Sequence, residues 1–196
     1  MPTINALVEG DLDEAVAARV INEAGHDMGL VYGRRGIGYV RDKIRAFNQS
    51  AHQIAYLTMV DLMDTRLPCA PRVRQDWLPY PNPGMMFRIV IREVESWLLA
   101  DREGIADFLS VPLNRVPSEP EQLPDPKQAL VNVARRSRCR AMQKKLVPAN
   151  GSAAQTGRLY VTELRAFVQQ KWNVANACAN ANSLRRCMNR LRTFTL

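Results

Sequence analysis

Through its first hundred residues the chain alternates between short apolar runs and segments of helical spacing, and this alternation constrains the fold most. Residues 4–8 (INALV) read as a buried strand, and residues 12–24 (LDEAVAARVINEA) place apolar side chains at 12, 16, 20 and 21, the spacing of one helix face. MGLVYG (28–33) reads as a second strand, YVRDKIRAFNQSA (39–51) as a second helix and IAYLTMV (54–60) as a third strand. FRIVI (87–91) reads as a fourth strand, and VESWLLAD (94–101) as the helix that follows. Strands separated by helices cannot pair as hairpins; they pair in parallel through helical crossovers, so the expectation is an α/β layer with a mostly parallel sheet flanked by helices.

The rest of the chain breaks this rhythm. Five prolines between Leu67 and Gly84 predict an ordered, irregular excursion, and a second cluster (Pro112, Pro117, Pro120, Pro124, Pro126) predicts a connector over 112–126. Helical patterns follow at 127–145, 159–172 and 183–192, separated by the loop PANGSAAQTG. The expected organisation is an α/β domain over 1–111, the connector, and a basic helical C-terminal region over 127–196 packed on that domain. The net charge is +8. From Lys127 onward there are 14 lysines and arginines against a single acid, Glu163, a net +13, which leaves −5 on the first 126 residues. Such asymmetry points to a polyanion, or to an acidic partner protein, for the basic part.

No apolar run approaches the roughly 20 residues of a membrane span, and no leader-like segment opens the chain. A cytoplasmic protein without membrane attachment is expected. Cys69, Cys139, Cys178 and Cys187 form no CxxC pair, and His26 and His52 are not spaced as zinc ligands, so free thiols are expected.

The acids of the α/β part carry the chemistry. Glu9 follows the first strand and precedes a helix, and Asp61 directly follows the third strand, with Asp64 three residues on. Parallel sheets bind ligands beyond the carboxyl ends of their strands, and carboxylates are the donors Mg²⁺ prefers. Singly, each acid also reads as a helix cap or turn former; Asp11, Asp13 and Glu14 suit the first turn of the helix, where negative charge is favoured. Glu95 shares a helix face with Leu98 and Leu99 and requires a partner, either an arginine such as Arg88 or Arg92, or a metal shared with Glu9 or Asp61. Glu93, at the strand–helix junction, is a further ligand candidate. The loop GRRGIG (33–38) precedes a helix, and its backbone with Arg34 and Arg35 suits a phosphate, although it matches neither a Walker loop nor a dinucleotide fingerprint. Lys127, after Asp125-Pro126, reads either as a helix start or as a cation beside a phosphate. Arg135 and Arg136 head the basic stretch expected on a nucleic-acid backbone.

Taken together, VEGDLDEA, GRRGIG, VDLMD, REVESWLLAD, the PEQLPDPK run from Pro120 and SLRRCMNRL resemble the Toprim fold. This is the metal-binding domain of topoisomerases, primases and overcoming-lysogenization-defect nucleases. Within it, the chain looks like a small bacterial Toprim-like family often encoded beside ATPases in defence or mobile loci. That fold has a Glu after its first strand, matched by Glu9, and an Asp-x-Asp after its third, begun by Asp61; Met63 stands where the second acid is expected, with Asp64 one place later. The resemblance implies a Mg²⁺- or Mn²⁺-dependent nuclease or related phosphoryl-transfer enzyme acting on DNA or RNA in phage defence or mobile-element biology. Glu9 and Asp61 would be its catalytic residues, and Glu9, Asp61, Asp64, Glu95 and Glu93 its metal site. The alternative, supported by Met63, is a catalytically degenerate subunit docking on a partner ATPase or on nucleic acid, as an oligomer or alone.

Overall fold

A computed structural model describes residues 2–195. The chain forms two compact units, dividing between Ile91 and Arg92 and again between Asn182 and Ser183. In the first unit the order is β1 (Thr3–Val8), α1 (Asp11–Glu23), β2 (Asp27–Gly33), α2 (Gly36–Ser50), β3 (Ala55–Asp61), α3 (Ala70–Trp77) and β4 (Met85–Val90). The four strands form one sheet in the order β2-β1-β3-β4, and every pairing is parallel. This is the expected α/β layer, compatible with a Rossmann-like arrangement.

Strand alternation sends successive side chains to opposite faces. Leu7, Tyr56, Val60, Phe87 and Ile89 join Val40 and Ile44 of α2 and Val73 and Trp77 of α3 in one buried cluster. Trp77 and Phe87 stack at 6.1 Å with 14° between their planes. α1 packs on β1, β2 and β3 through a row at helical spacing, Leu12, Val16 and Val20, all buried. The segment expected to be irregular contains α3 instead. Pro71 sits in its first turn, where a missing N–H costs nothing, and Pro79, Pro81 and Pro83 come after it, so the prolines bracket a helix.

The second unit is helical: α4 (Val94–Ala100), α5 (Arg102–Leu109), α6 (Pro126–Ala134), α7 (Arg140–Leu146), α8 (Tyr160–Gln170) and α9 (Val174–Asn180), with 3₁₀ turns at Leu113–Arg115 and Pro120–Gln122. Every residue of α4 is buried, as befits a helix surrounded by others; α5, α6, α9 and the second 3₁₀ turn contact it. Asp101, fully buried, accepts from Gly104 N–H at 3.2 Å and from Asn173 N–H at 2.8 Å. One carboxylate thereby caps α5 and fixes the approach to α9.

Two expectations change here. The single helix expected over 127–145 is two, because Ser137 folds back on the chain. Its Oγ accepts from Cys139 N–H at 3.0 Å, and Gln143 Nε2 donates to the Arg135 and Ser137 carbonyls, giving the backbone an alternative to helix. The units also divide elsewhere than at the proline-rich stretch, which lies inside the second. The last helix, α10 (Asn182–Arg192), returns from Ser183 onward to the first unit. There the Ser183 hydroxyl accepts from Ile91 N–H at 3.4 Å, and the Leu191 carbonyl meets His26 Nε2 at 2.7 Å. Its apolar stripe, Leu184, Cys187, Met188 and Leu191, is buried; the charge of its other positions made it read as part of a basic tail.

Candidate functional site at the strand tips

β1 lies in the middle of the sheet, and the chain runs first to β2 on one side and then crosses to β3 on the other. The strand order therefore reverses between β1 and β3, and the crevice that parallel sheets use for ligands opens at their carboxyl ends. Glu9 and Asp61 stand there. Glu9 Oε1 accepts from Asp61 N–H at 2.8 Å, so the carboxylate spans the gap between the two strand tips. Both residues are buried, Glu9 at 9% and Asp61 at 7% exposure. The other acids of the segment serve the helix. Asp13 Oδ2 accepts from Gly10 N–H at 3.1 Å, only the returning half of a capping box because a glycine has no side chain to complete it. Glu14 takes Arg34 at 3.1 Å.

The glycine loop is fastened to the same place. Arg34 N–H donates to the Val8 carbonyl and Gly36 N–H to the Glu9 carbonyl, both at 3.0 Å. Gly33 has φ +101°, and a Cβ there would collide with the Val8 carbonyl, so this close approach requires glycine. Arg34 is committed to Glu14, and Arg35 lies over the Tyr39 ring at 5.4 Å. The arginines that sequence reading missed lie just beyond. A cavity of about 350 Å³ is lined by Ile37 and Gly38 at the start of α2, by Arg41, and by Met63, Asp64 and Arg66 of the loop after β3. Asp64, exposed, faces this cavity rather than the β1–β3 gap's buried interior. Arg41 sits one turn into α2 and Arg66 adopts a left-handed φ of +57°; a position after a glycine loop signals the first, and nothing in the sequence signals the second.

Glu93, Glu95 and Lys127 belong to the second unit, and there they answer one another. Lys127 Nζ lies 3.0 Å from Glu93 Oε1 and 3.9 Å from Glu95 Oε1, and Lys127 N–H donates to Glu93 Oε2 at 3.0 Å. The Tyr160 hydroxyl donates to Glu95 Oε1 at 3.2 Å. The buried carboxylate on α4 thus has a lysine and a tyrosine among its partners. Lys127 is both the helix start and an ion-pair partner. Among the described residues, no three or more His, Cys, Asp or Glu side chains gather as a metal-ligand group.

Burial, and then the charge of Glu95, hold the Tyr160 phenol well above its ordinary ionisation range. Below about pH 10 the phenol is neutral whether folded or unfolded, and this contribution to stability is intact. As pH rises further the unfolded chain ionises first, so the contribution drains away at about 1.4 kcal/mol per pH unit. Tyr160→Phe removes that term. Urea midpoints at pH 9 and 11 are expected to show the variant losing less stability than the parent over this interval. Parallel losses in both proteins would contradict the burial of the phenol.

Arg135 and Arg136 are exposed after α6, followed by exposed Arg138, Arg140 and Lys144. Arg135 meets a neutral partner, Asn132 Oδ1 at 3.2 Å, whereas Lys145 is neutralised by Glu163 at 2.8 Å. The second unit therefore carries a basic strip over 135–144. No family model, curated protein or solved structure matches the chain.

Proposed function

We propose that the protein is a divalent-metal-dependent nuclease of Toprim-like fold, its reacting centre at the β1–β3 switch point. The observation that carries this reading is the Glu9 carboxylate bridging to Asp61 N–H across the two strand tips. Strand-tip acids held by main-chain contacts are rigid, as reacting groups must be. The donor set fits Mg²⁺, which typically uses one or two protein carboxylates and completes its shell with water and substrate phosphate. Glu9 and Asp61 would hold the ion; Asp64, which lines the neighbouring cavity, stands outside this pair. Bound there, Mg²⁺ or Mn²⁺ supplies neutralisation of the scissile phosphate and a more acidic water. In its alternative role Glu9, instead of binding metal, would take the proton of an attacking water, and Arg41 and Arg66 are the cations for the phosphate. The basic strip of the second unit tracks the nucleic-acid backbone. Defence against phage is the biological setting that the resemblance implies.

Cleavage of mixed DNA and RNA substrates with Mg²⁺, Mn²⁺ or EDTA tests the assignment; no cleavage under any condition counts against it. The strip is tested separately. Arg136→Gln, Arg138→Gln and Arg140→Gln together are expected to flatten the log–log salt dependence of nucleic-acid binding by about 0.7–0.9 for each phosphate that is no longer neutralised. An unchanged slope would remove the strip from the interface.

Two observations favour a second reading, a catalytically degenerate subunit that docks on nucleic acid or on a partner ATPase. Glu93 and Glu95 already share Lys127 as a counter-charge, and Met63 occupies the loop position where a second acid is expected. Calorimetric titration with Mn²⁺ separates the two: the degenerate subunit shows no binding that depends on Glu9 and Asp61.

A further inference from the structure

Away from the strand tips, the first unit holds a second cavity, of about 370 Å³, beside the segment that leads into β4. Three arginines from distant parts of the chain line it: Arg74 of α3, Arg88 of β4 and Arg190 of α10. Arg186, one turn before Arg190, adds a fourth positive charge acting on Arg74 and Arg88. None of the four pairs with a carboxylate among the described residues. The Nε atoms of Arg74 and Arg88 are buried without a hydrogen-bond partner among those residues. Arg190 is held in place by the Pro83 carbonyl at 3.4 Å and by the Phe194 ring, 5.5 Å from its guanidinium carbon. The remaining wall is apolar, including Leu78, Met85 and Phe87.

Like charges gathered in a partly buried place, with donors left unmade, are unfavourable unless something anionic joins them. Burial, and then mutual repulsion, work against the charged forms here. Burial is the largest cause lowering both Arg74 and Arg88; Arg186 adds to it at Arg74, and at Arg88 Cys187 opposes while Arg74, Arg190 and Arg186 reinforce. Guanidinium forks match phosphate oxygens two at a time. Several of them around one point suit a monoester, which carries about −1.5 to −2 at neutral pH, better than a backbone diester with a single charge. The volume lies within the roughly 300–1,000 Å³ of small-ligand sites, and the apolar wall has room for a carbon group attached to the phosphate.

We propose that this cavity binds a terminal phosphate monoester on a nucleoside, with Arg74, Arg88 and Arg190 around the phosphate and Leu78, Met85 and Phe87 against the attached group. Two sources carry that chemistry, a free nucleoside 5′-monophosphate and the 5′-phosphorylated end of a nucleic acid. The inference does not rest on catalysis at Glu9.

Isothermal titration of the full chain tests it with adenosine 5′-monophosphate, adenosine, inorganic phosphate, and a hexanucleotide with and without its 5′-phosphate. The phosphorylated member of each pair is expected to bind at least about tenfold more tightly, the worth of one charge-assisted contact. Arg74→Gln and Arg190→Gln, both at positions open to solvent on one side, should each abolish most of that preference, while Glu9→Gln leaves it intact. The tighter of the two phosphorylated ligands identifies the source. Arg88→Met supplies a readout independent of ligand: with an unpartnered buried donor and a repelling charge removed, the ligand-free protein should melt about 2–4 °C higher. The proposal is overturned if the phosphate makes no difference to binding, or if the arginine variants keep the parent's preference.

Discussion

Glu9→Gln is expected to lower metal-dependent cleavage of nucleic acid by about 10²–10⁴-fold, the range for loss of a positioned proton acceptor. Fold stability should change little. Glutamine keeps an Oε1 that accepts from Asp61 N–H, so the 2.8 Å bridge between the strand tips survives, and the buried Glu9 site loses a negative charge rather than gaining one. This separation makes the variant informative, because an alanine would break the bridge and confuse loss of chemistry with loss of geometry. Asp61→Asn should behave in the same direction while leaving its own N–H in place. The measurement is turnover of a labelled oligonucleotide in Mn²⁺, alongside thermal melting of parent and variant. Unchanged turnover with unchanged melting would sink the assignment of Glu9, and would direct attention to a contaminant or to another carboxylate.

That Glu9 and Asp61 stand at strand ends is legible in the sequence for a physical reason. A buried strand reads as an uninterrupted apolar run, and an acid directly after such a run stands at a strand end whatever the tertiary details. The sheet follows from the same local signals, with β1, β2 and β3 within a residue or two of their expected bounds. What escaped was non-local. Nothing in 93–95 says that Lys127, more than thirty residues later, will supply the counter-charge; helical spacing shows that Glu95 lies on a buried face, but not what covers it. Arg88 was a reasonable partner on proximity in sequence, yet it lies on β4 and lines the arginine cavity. Prolines hid α3 because the same residue that stops a helix also starts one. The stripe of α10 was legible, but its return to the first unit was not, since only tertiary packing decides which unit buries it.

Lys127→Met tests the second unit's charge cluster and should have the largest effect on stability. Lys127 Nζ, 3.0 Å from Glu93 and 3.9 Å from Glu95, is the cation beside two carboxylates whose side chains are 9% and 2% exposed. Methionine fills similar volume but leaves both acids facing an apolar neighbour. Removing one member of a buried pair costs about 3–5 kcal/mol. Because the Lys127 side chain is 34% exposed, water compensates part of the loss, and a value near the bottom of that range, about 3 kcal/mol, is expected. At about 2–4 °C per kcal/mol for a chain of this size, the melting transition should fall by about 6–12 °C. Adding Glu93→Gln and Glu95→Gln to the variant should recover most of the stability at neutral pH, because the triple change deletes the charges together with their partner. Calorimetric melting of the three proteins at pH 7 decides it. A loss below about 1 kcal/mol is the behaviour of a solvated surface pair; it would mean that Glu93 and Glu95 do not depend on Lys127 and would return them to consideration as ligands.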